Sequence, residues 1–230
     1  MSSPFAALSP NVSPLKTTSV PQAVYEALRE GIVTTDVPPG TLLTETAIAT
    51  RFGVARPTAK AAIERLVSEG LLTRRAHHAA QVPSLSRDDI EDLYSSRAIV
   101  EEAALRNLAA ASMMPAAALA IQRDLLAYAK ADESAPFVRA DVAFHRELVI
   151  AQSSPRLARM HALIMGEIEL CIGQVQTHRL LKAHEVAEQH QGILDAVGSG
   201  DVDLAGRLTR EHIEGARDRL LHHLDSEARS

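Results

Sequence analysis

Hydrophobic positions first fall into a regular spacing in the third decade of the chain. Val24, Leu28 and Ile32 recur every four residues behind Pro21, which predicts a helix over 21–34. Residues 1–19, rich in Ser, Pro and Thr with no hydrophobic period, read as a disordered tail. Val37-Pro38-Pro39-Gly40 interrupts the pattern as a turn. Thr44 is a good N-cap for a short helix over 45–52, and Gly53 suits the left-handed residue that ends it. Pro57 opens a further helix to Glu69, with Ala59, Ala62, Ile63, Leu66 and Val67 facing inward. Two short extended runs, Leu71–Arg75 and Gln81–Val82, flank Ala76-His77-His78-Ala79 and predict a β-wing.

Residues 20–83 therefore form a first domain, and Ser84-Leu85-Ser86 a linker over 84–86. Ser86 is placed to cap the next helix, with Asp88 and Asp89 favourable to its dipole. The pattern over 87–225 is helical throughout. Six helices are expected, at about 87–111, 116–132, 135–152, 155–181, 183–197 and 201–225. Pro115, Ser134 to Pro136, Ser153 to Pro155 and Gly198-Ser199-Gly200 mark the breaks. The fold class is mainly α: a winged helix-turn-helix followed by an antiparallel helical bundle.

Composition agrees with packed helices rather than sheet: aromatics are 3% and there is no Trp, while Ala and Leu dominate. The single Cys171 cannot form an internal disulfide and points to a reducing compartment. No run approaches the ~20 apolar residues of a membrane span, and no secretory signal is visible, so a cytoplasmic location is expected. The formal charge of −5 conceals a division. Residues 1–85 hold eight Lys/Arg against six Asp/Glu, and the remainder 16 against 23. Only the first part is electrostatically suited to a polyanion.

The two short helices around Gly53 form a helix-turn-helix, with Ala49 small at the crossing and Val54 plugging the core. The second helix can then enter the major groove by its N-terminal end, which carries Arg56, Thr58 and Lys60. Arg offers a bidentate pair to guanine. Thr46 joins this set, and Arg74, Arg75, His77 and His78 of the wing are placed to meet the phosphate backbone or minor groove. The run Val37 to Glu45, then Ile48-Ala49-Thr50-Arg51-Phe52-Gly53-Val54-Ala55-Arg56-Pro57-Thr58, then Arg65 to Leu72, resembles the winged helix of the GntR family of regulators. The resemblance covers about residues 20–83 and implies DNA-reading roles for Arg56 and Lys60. Lys60 stands where Arg is usual, and Ala79 where the wing tip usually has Gly.

In the second half, Asp141 and His145 are spaced i, i+4 and share a helix face. His190 lies on the stripe Val186, Ile193, Leu194, Val197, and His212 on Leu204, Leu208, Ala216. One carboxylate and three imidazoles suit a divalent transition metal, Zn first, with Ni, Fe or Mn as alternatives, and leave coordination positions open. Each histidine alone is as easily a hydrogen-bonded core residue; together they need polar partners inside. His161, His178, His184, His222 and His223 are assigned to the surface or to helix ends.

Arg97 falls on the apolar face Ile90, Leu93, Val100, Ala104, so its guanidinium needs an anion. That anion is Glu101 or an acid on another helix, or else the carboxylate of a bound ligand. Two other readings of this half stay open. In one, a metal-dependent hydrolase uses Glu147, Glu167 or Glu169 as base, which leaves residues 20–83 unexplained. In the other, a purely structural metal ties the helices of a DNA-binding protein.

Leu93-Tyr94-Ser95-Ser96-Arg97 with Val100-Glu101, Asp141 to His145, His190 to Val197, and Arg210-Glu211-His212 resemble the FCD type of effector domain found in the FadR-like branch of the same family. Six helices match its shorter, VanR-like variant. The resemblance covers about residues 86–224. It implies metal ligands at Asp141, His145, His190 and His212, a small organic acid bound over them near Arg97, and a homodimer on a palindromic double-stranded operator. No catalytic activity is implied. Ser154 departs from the Asn usual before the Pro.

Overall fold

The structure, a computed structural model, describes residues 19–76, 78–174 and 182–227. His77, His178, nearly all of the expected N-terminal tail and the end of the helix expected over 155–181 lie outside the described residues. In chain order the elements are α1 (Val20–Val33), β1 (Leu42–Leu43), α2 (Glu45–Phe52), α3 (Arg56–Ser68), β2 (Ala80–Gln81), α4 (Arg87–Ala110), α5 (Ala116–Ala131), α6 (Ser134–Ile150), α7 (Pro155–Gln174), α8 (Ala183–Ser199) and α9 (Val202–Glu227).

Local chemistry sets several of these boundaries. The Thr44 hydroxyl accepts from the Ala47 N–H at the start of α2, and Gly53 ends that helix at φ 64°. Ser86 and Asp89 make a reciprocal capping box at the start of α4. Ser154, the departure noted in the sequence, accepts from the Leu157 N–H and so starts α7. The helix expected from Pro57 begins one residue earlier, so Arg56 occupies the first helical position.

The wing differs from the expected pair of runs. Its two-stranded sheet joins β1 to β2 in antiparallel register, Leu42 opposite Gln81 and Leu43 opposite Ala80. The first expected run contributes only an isolated bridge, Thr73 to Gln81. Leu42-Leu43 was unreadable as a strand because two residues carry no period, and only the return of residues 80–81 supplies a partner.

The helices α1 to α3 enclose one core built on Ile32, Ile63, Leu66 and Leu72. The helices α4, α5, α6, α8 and α9 enclose a second, and a third lies where α4, α6 and α9 meet α7. No helix among the described residues is long and apolar enough to cross a membrane.

One helix belongs to both halves. Leu170 of α7 is a member of the winged-helix core, whereas Met165, Ile168 and Cys171 of the same helix lie in the bundle. Two glycines one heptad apart allow this approach. A Cβ on Gly166 would overlap the Glu69 carbonyl, and one on Gly173 the Val33 carbonyl. Between them Glu169 accepts from Arg29 of α1 at 2.5 Å. Gln174 then holds the interdomain linker, donating to the Pro83 carbonyl at 2.8 Å and accepting from the Leu85 N–H at 3.3 Å.

Substituting Gly166→Ala should therefore weaken the docking of the two halves by about 1–3 kcal/mol, because the new methyl meets backbone that cannot turn aside. Gly192→Ala is the control. Its added carbon would meet only the end of the Leu208 side chain, at 3.7 Å, and is expected to be neutral or slightly stabilising. Urea denaturation of both variants, with limited proteolysis at the linker, measures the difference.

Candidate metal centre and nucleic-acid interface

Three helices bring the four predicted polar residues of the bundle together. Asp141 and His145 come from α6, His190 from α8 and His212 from α9; one ligand atom of each lies within 4.8 Å of all the others. The spacing i, i+4 gives the first pair, and burial of the stripes on α8 and α9 gives the other two. The Nε2 atoms of His190 and His212 are 3.2 Å apart, and those of His212 and His145 3.3 Å. Asp141 Oδ1 lies 3.4 Å from His190 Nε2 and 4.0 Å from His145 Nε2.

Proton positions follow from the outer partners. His145 Nδ1 lies 2.6 Å from Glu101 Oε2, and a carboxylate can only accept, so Nδ1 carries the proton. His212 Nδ1 faces the Gln189 amide oxygen at 2.9 Å and donates to it. Both Nε2 atoms are then bare lone pairs pointing at one another, with an unpartnered carboxylate oxygen, Asp141 Oδ1, beside them. Such an arrangement repels itself until a cation enters, and a divalent transition ion fits this donor set.

The titration behaviour agrees. Burial, and then the neighbouring imidazoles, hold His190 and His212 well below the ordinary histidine range. Burial also pushes Asp141 up, with His145 and Arg97 only partly opposing it. Neutral imidazoles and a carboxylate short of positive charge are the forms that a metal takes.

Behind this site lies a polar cluster that sequence reading saw only in part. Glu101 of α4 is fully buried and accepts three times: from Arg97 Nε at 2.8 Å, from His145 Nδ1, and from His161 Nε2 at 2.9 Å. Burial alone would raise its carboxyl pKa; Arg97, then His145 and His161, overturn this and hold it well below the usual range. Arg97 thus has Glu101 as its anion, the plainer of the two expectations, but its buried Nη2 is left without a hydrogen-bond partner.

His161, expected at the surface, is 1% exposed. Its place was signalled by the spacing of Leu157, His161, Met165 and Ile168, all at least partly buried on one face of α7. His184 is exposed and pairs with Glu188, and His222 is exposed. Of the general bases considered for a hydrolase, Glu169 is committed to Arg29.

In the first domain, one shallow cleft is lined by Thr46, Arg56, Arg74 and His78 together with Glu45. The N-termini of α2 and α3 and the wing thus open onto a single surface. Arg56, Arg74, Arg75 and His78 are exposed; Thr58 is half-buried. Lys60 is exposed one turn further along, 3.6 Å from Glu64.

Glu101→Ala should cost about 3–5 kcal/mol, since it strands the Arg97 guanidinium and two imidazole N–H groups in the interior. Glu101→Gln, which keeps one acceptor, should cost less. Thermal unfolding in the presence of a chelator, so that metal does not contribute, reads both.

Comparison with known proteins agrees with this division. Residues 21–82 match the model of the bacterial regulatory proteins of the gntR family, and residues 92–215 match the FCD domain. A helix-turn-helix transcriptional regulator in an unstable DNA locus of Streptomyces ambofaciens is 28% identical over 202 residues, covering 85% of this chain and 82% of the relative. A D-xylose utilization operon transcriptional repressor of Paenarthrobacter nicotinovorans is 25% identical over 202 residues, covering 86% and 88%. The crystal structure of a GntR transcriptional regulator from Rhodococcus sp. RHA1 superposes with a TM-score of 0.72 at 23% identity, covering 88% of this chain and 97% of the other. The chain therefore belongs to the GntR family, as a transcriptional regulator with an FCD domain and not an enzyme.

Proposed function

We propose that this protein is a cytoplasmic, homodimeric repressor whose bundle holds one divalent metal ion per chain and uses it to sense a small organic acid. The observation that carries the reading is the convergence of three imidazole Nε2 atoms and an unpartnered carboxylate oxygen inside the domain joined to the winged helix. Zn is the first choice for the ion, with Ni, Fe or Mn as alternatives. When bound, the ion supplies a Lewis-acidic anchor for a ligand carboxylate. Arg97, with Nη2 unused and buried, is placed to take the acid's other end. The Paenarthrobacter relative is named a repressor, which favours that sign of regulation here.

A two-fold dimer presents two equivalent recognition helices to a palindromic operator, with half-sites about one helical turn apart, ~34 Å. Arg56 reads a base, with Thr46, Thr58 and Lys60 beside it. Arg74, Arg75 and His78 follow the backbone. The route between the sites runs through α7. His161 meets the Glu101 carboxylate that also holds His145, while Gly166, Glu169 and Gly173 of the same helix are seated on the DNA-binding domain. A ligand that shifts His145 or Arg97 therefore biases how the two recognition helices are spaced.

Purified protein should contain about one divalent ion per chain by elemental analysis. His190→Ala and His212→Ala should each lose the ion together with thermal stability, because metal binding is linked to folding. Full metal content in both variants would remove the ligand assignment. Arg56→Ala should cost about 1–3 kcal/mol in operator affinity and relax specificity at one base pair per half-site, read by gel shift on a selected operator. Effector affinity should differ with and without operator, by the same factor by which the effector changes operator affinity, for a coupling of about 1–3 kcal/mol. Equal affinities would leave the metal a purely structural role.

A further inference from the structure

A second cavity lies at the junction of the two domains, apart from the residues of the metal centre. Its volume is about 500 Å³, within the range of small-molecule sites, ~300–1,000 Å³. Its walls come from three helices of both halves: Val33 of α1 with Thr34 capping its end, Val138 and Arg139 of α6, Ile172 and Gly173 of α7. The lining is mainly apolar, through Val33, Ala135, Val138 and Ile172. The Arg29–Glu169 pair also lines it. The approach of α1 to α7 is set by the Gly173–Val33 backbone contact and that of α3 to α7 by Gly166–Glu69, so the walls are held by main chain resting on main chain.

Charge around the cavity favours an anion. Glu169 is already met by Arg29 at 2.5 Å and by Arg146 at 3.9 Å. The buried Nε of Arg146 has no hydrogen-bond partner. Arg139 is exposed on the rim, and no carboxylate among the described residues is paired with it. Among the lining residues Arg29 and Arg139 balance Glu30 and Glu169, and Arg146, 3.9 Å from Glu169, adds one further positive charge beside the cavity. Glu169 is neutralised from two sides, and of the lining charges only Arg139 and the exposed Glu30 are left without an ion-pair partner among the described residues.

We propose that this junction cavity is a second small-molecule site, taking an amphipathic monoanion: a flat or short apolar body between Val33, Val138 and Ile172, with its carboxylate or sulfonate on Arg139. An occupant touches α1, α6 and α7 at once. It therefore binds the docked arrangement of the two domains and stabilises it, by mass action and without any contact with the metal centre.

The test uses 8-anilinonaphthalene-1-sulfonate, an aryl monoanion whose fluorescence reports transfer to an apolar site, titrated into the intact chain before and after metal removal. The expected result is saturable binding of one probe per chain in both forms. Val138→Trp, which fills the cavity, should weaken binding more than tenfold. Arg139→Ala, an exposed change that leaves the core alone, should weaken it about five- to tenfold, the loss of one charge-assisted contact. His190→Ala should leave probe affinity unchanged even where it empties the metal centre, which separates this site from the one proposed above. Loss of binding in His190→Ala with retention in Val138→Trp places the probe at the metal centre and overturns the inference. No saturable binding by the wild-type protein, or binding indifferent to Arg139→Ala, overturns it as well.

Discussion

The buried carboxylate of Glu101 is the constraint on which the effector half is organised. It carries charge where solvent cannot reach, and it is tolerated because a guanidinium and two imidazoles donate to it. Those donors come from three helices, Arg97 from α4, His145 from α6 and His161 from α7. The same bonds settle a chemical question at one remove. By accepting from His145 Nδ1–H, Glu101 fixes the proton on Nδ1 and leaves Nε2 bare and aimed at the other two imidazoles. The availability of His145 Nε2 to the proposed ion thus follows from a residue that does not itself reach the ligand cluster.

The helix α7 connects this cluster to the rest of the molecule. One face carries His161 to Glu101. The other gives Leu170 to the winged-helix core, Glu169 to Arg29, and two glycines to backbone carbonyls of α1 and of the end of α3. Glycine at both points lets main chain rest on main chain, without side chains that could cushion or slip. Gln174 then fixes the linker by both of its amide groups. The short linker before Ser86 ties α4 to the winged helix as well. The contacts give α7 the larger part, because a helix seated in both cores must move with either of them.

Such a division places stability and responsiveness in different interactions. The apolar cores are closed and well packed around Phe137, Phe144, Ile63 and Leu66. Of the five buried polar atoms left without a partner among the described residues, Arg97 Nη2, Asp141 Oδ1 and His190 Nδ1 lie at or beside the metal centre and Arg146 Nε near the domain junction, while Gln122 Oε1 lies elsewhere in the bundle. Buried donors and acceptors without partners are costly, and three of the five surround the centre where an ion and an acid are proposed to bind.

The sequence by itself determined the elements and much of their chemistry. Period and capping residues placed the helices to within a few residues. Gly53 and Arg56 marked the helix-turn-helix, and the stripes on α6, α8 and α9 turned Asp141, His145, His190 and His212 inward, because helical geometry converts spacing directly into facing. What it left open depended on partners far away in the chain. Leu42-Leu43 becomes a strand only when residues 80–81 return to it. His161 was read as a surface residue although its neighbours on α7 follow the same period, since a single polar residue gives no sign of the acceptor waiting 60 positions earlier. Arg97 could be given Glu101 or a ligand, and only packing showed that Glu101 takes Nε and leaves Nη2 unused. Gly166 and Gly173 read as ordinary helix interior until another backbone was laid against them. Local spacing records which way a residue faces; what it faces is decided when the helices pack.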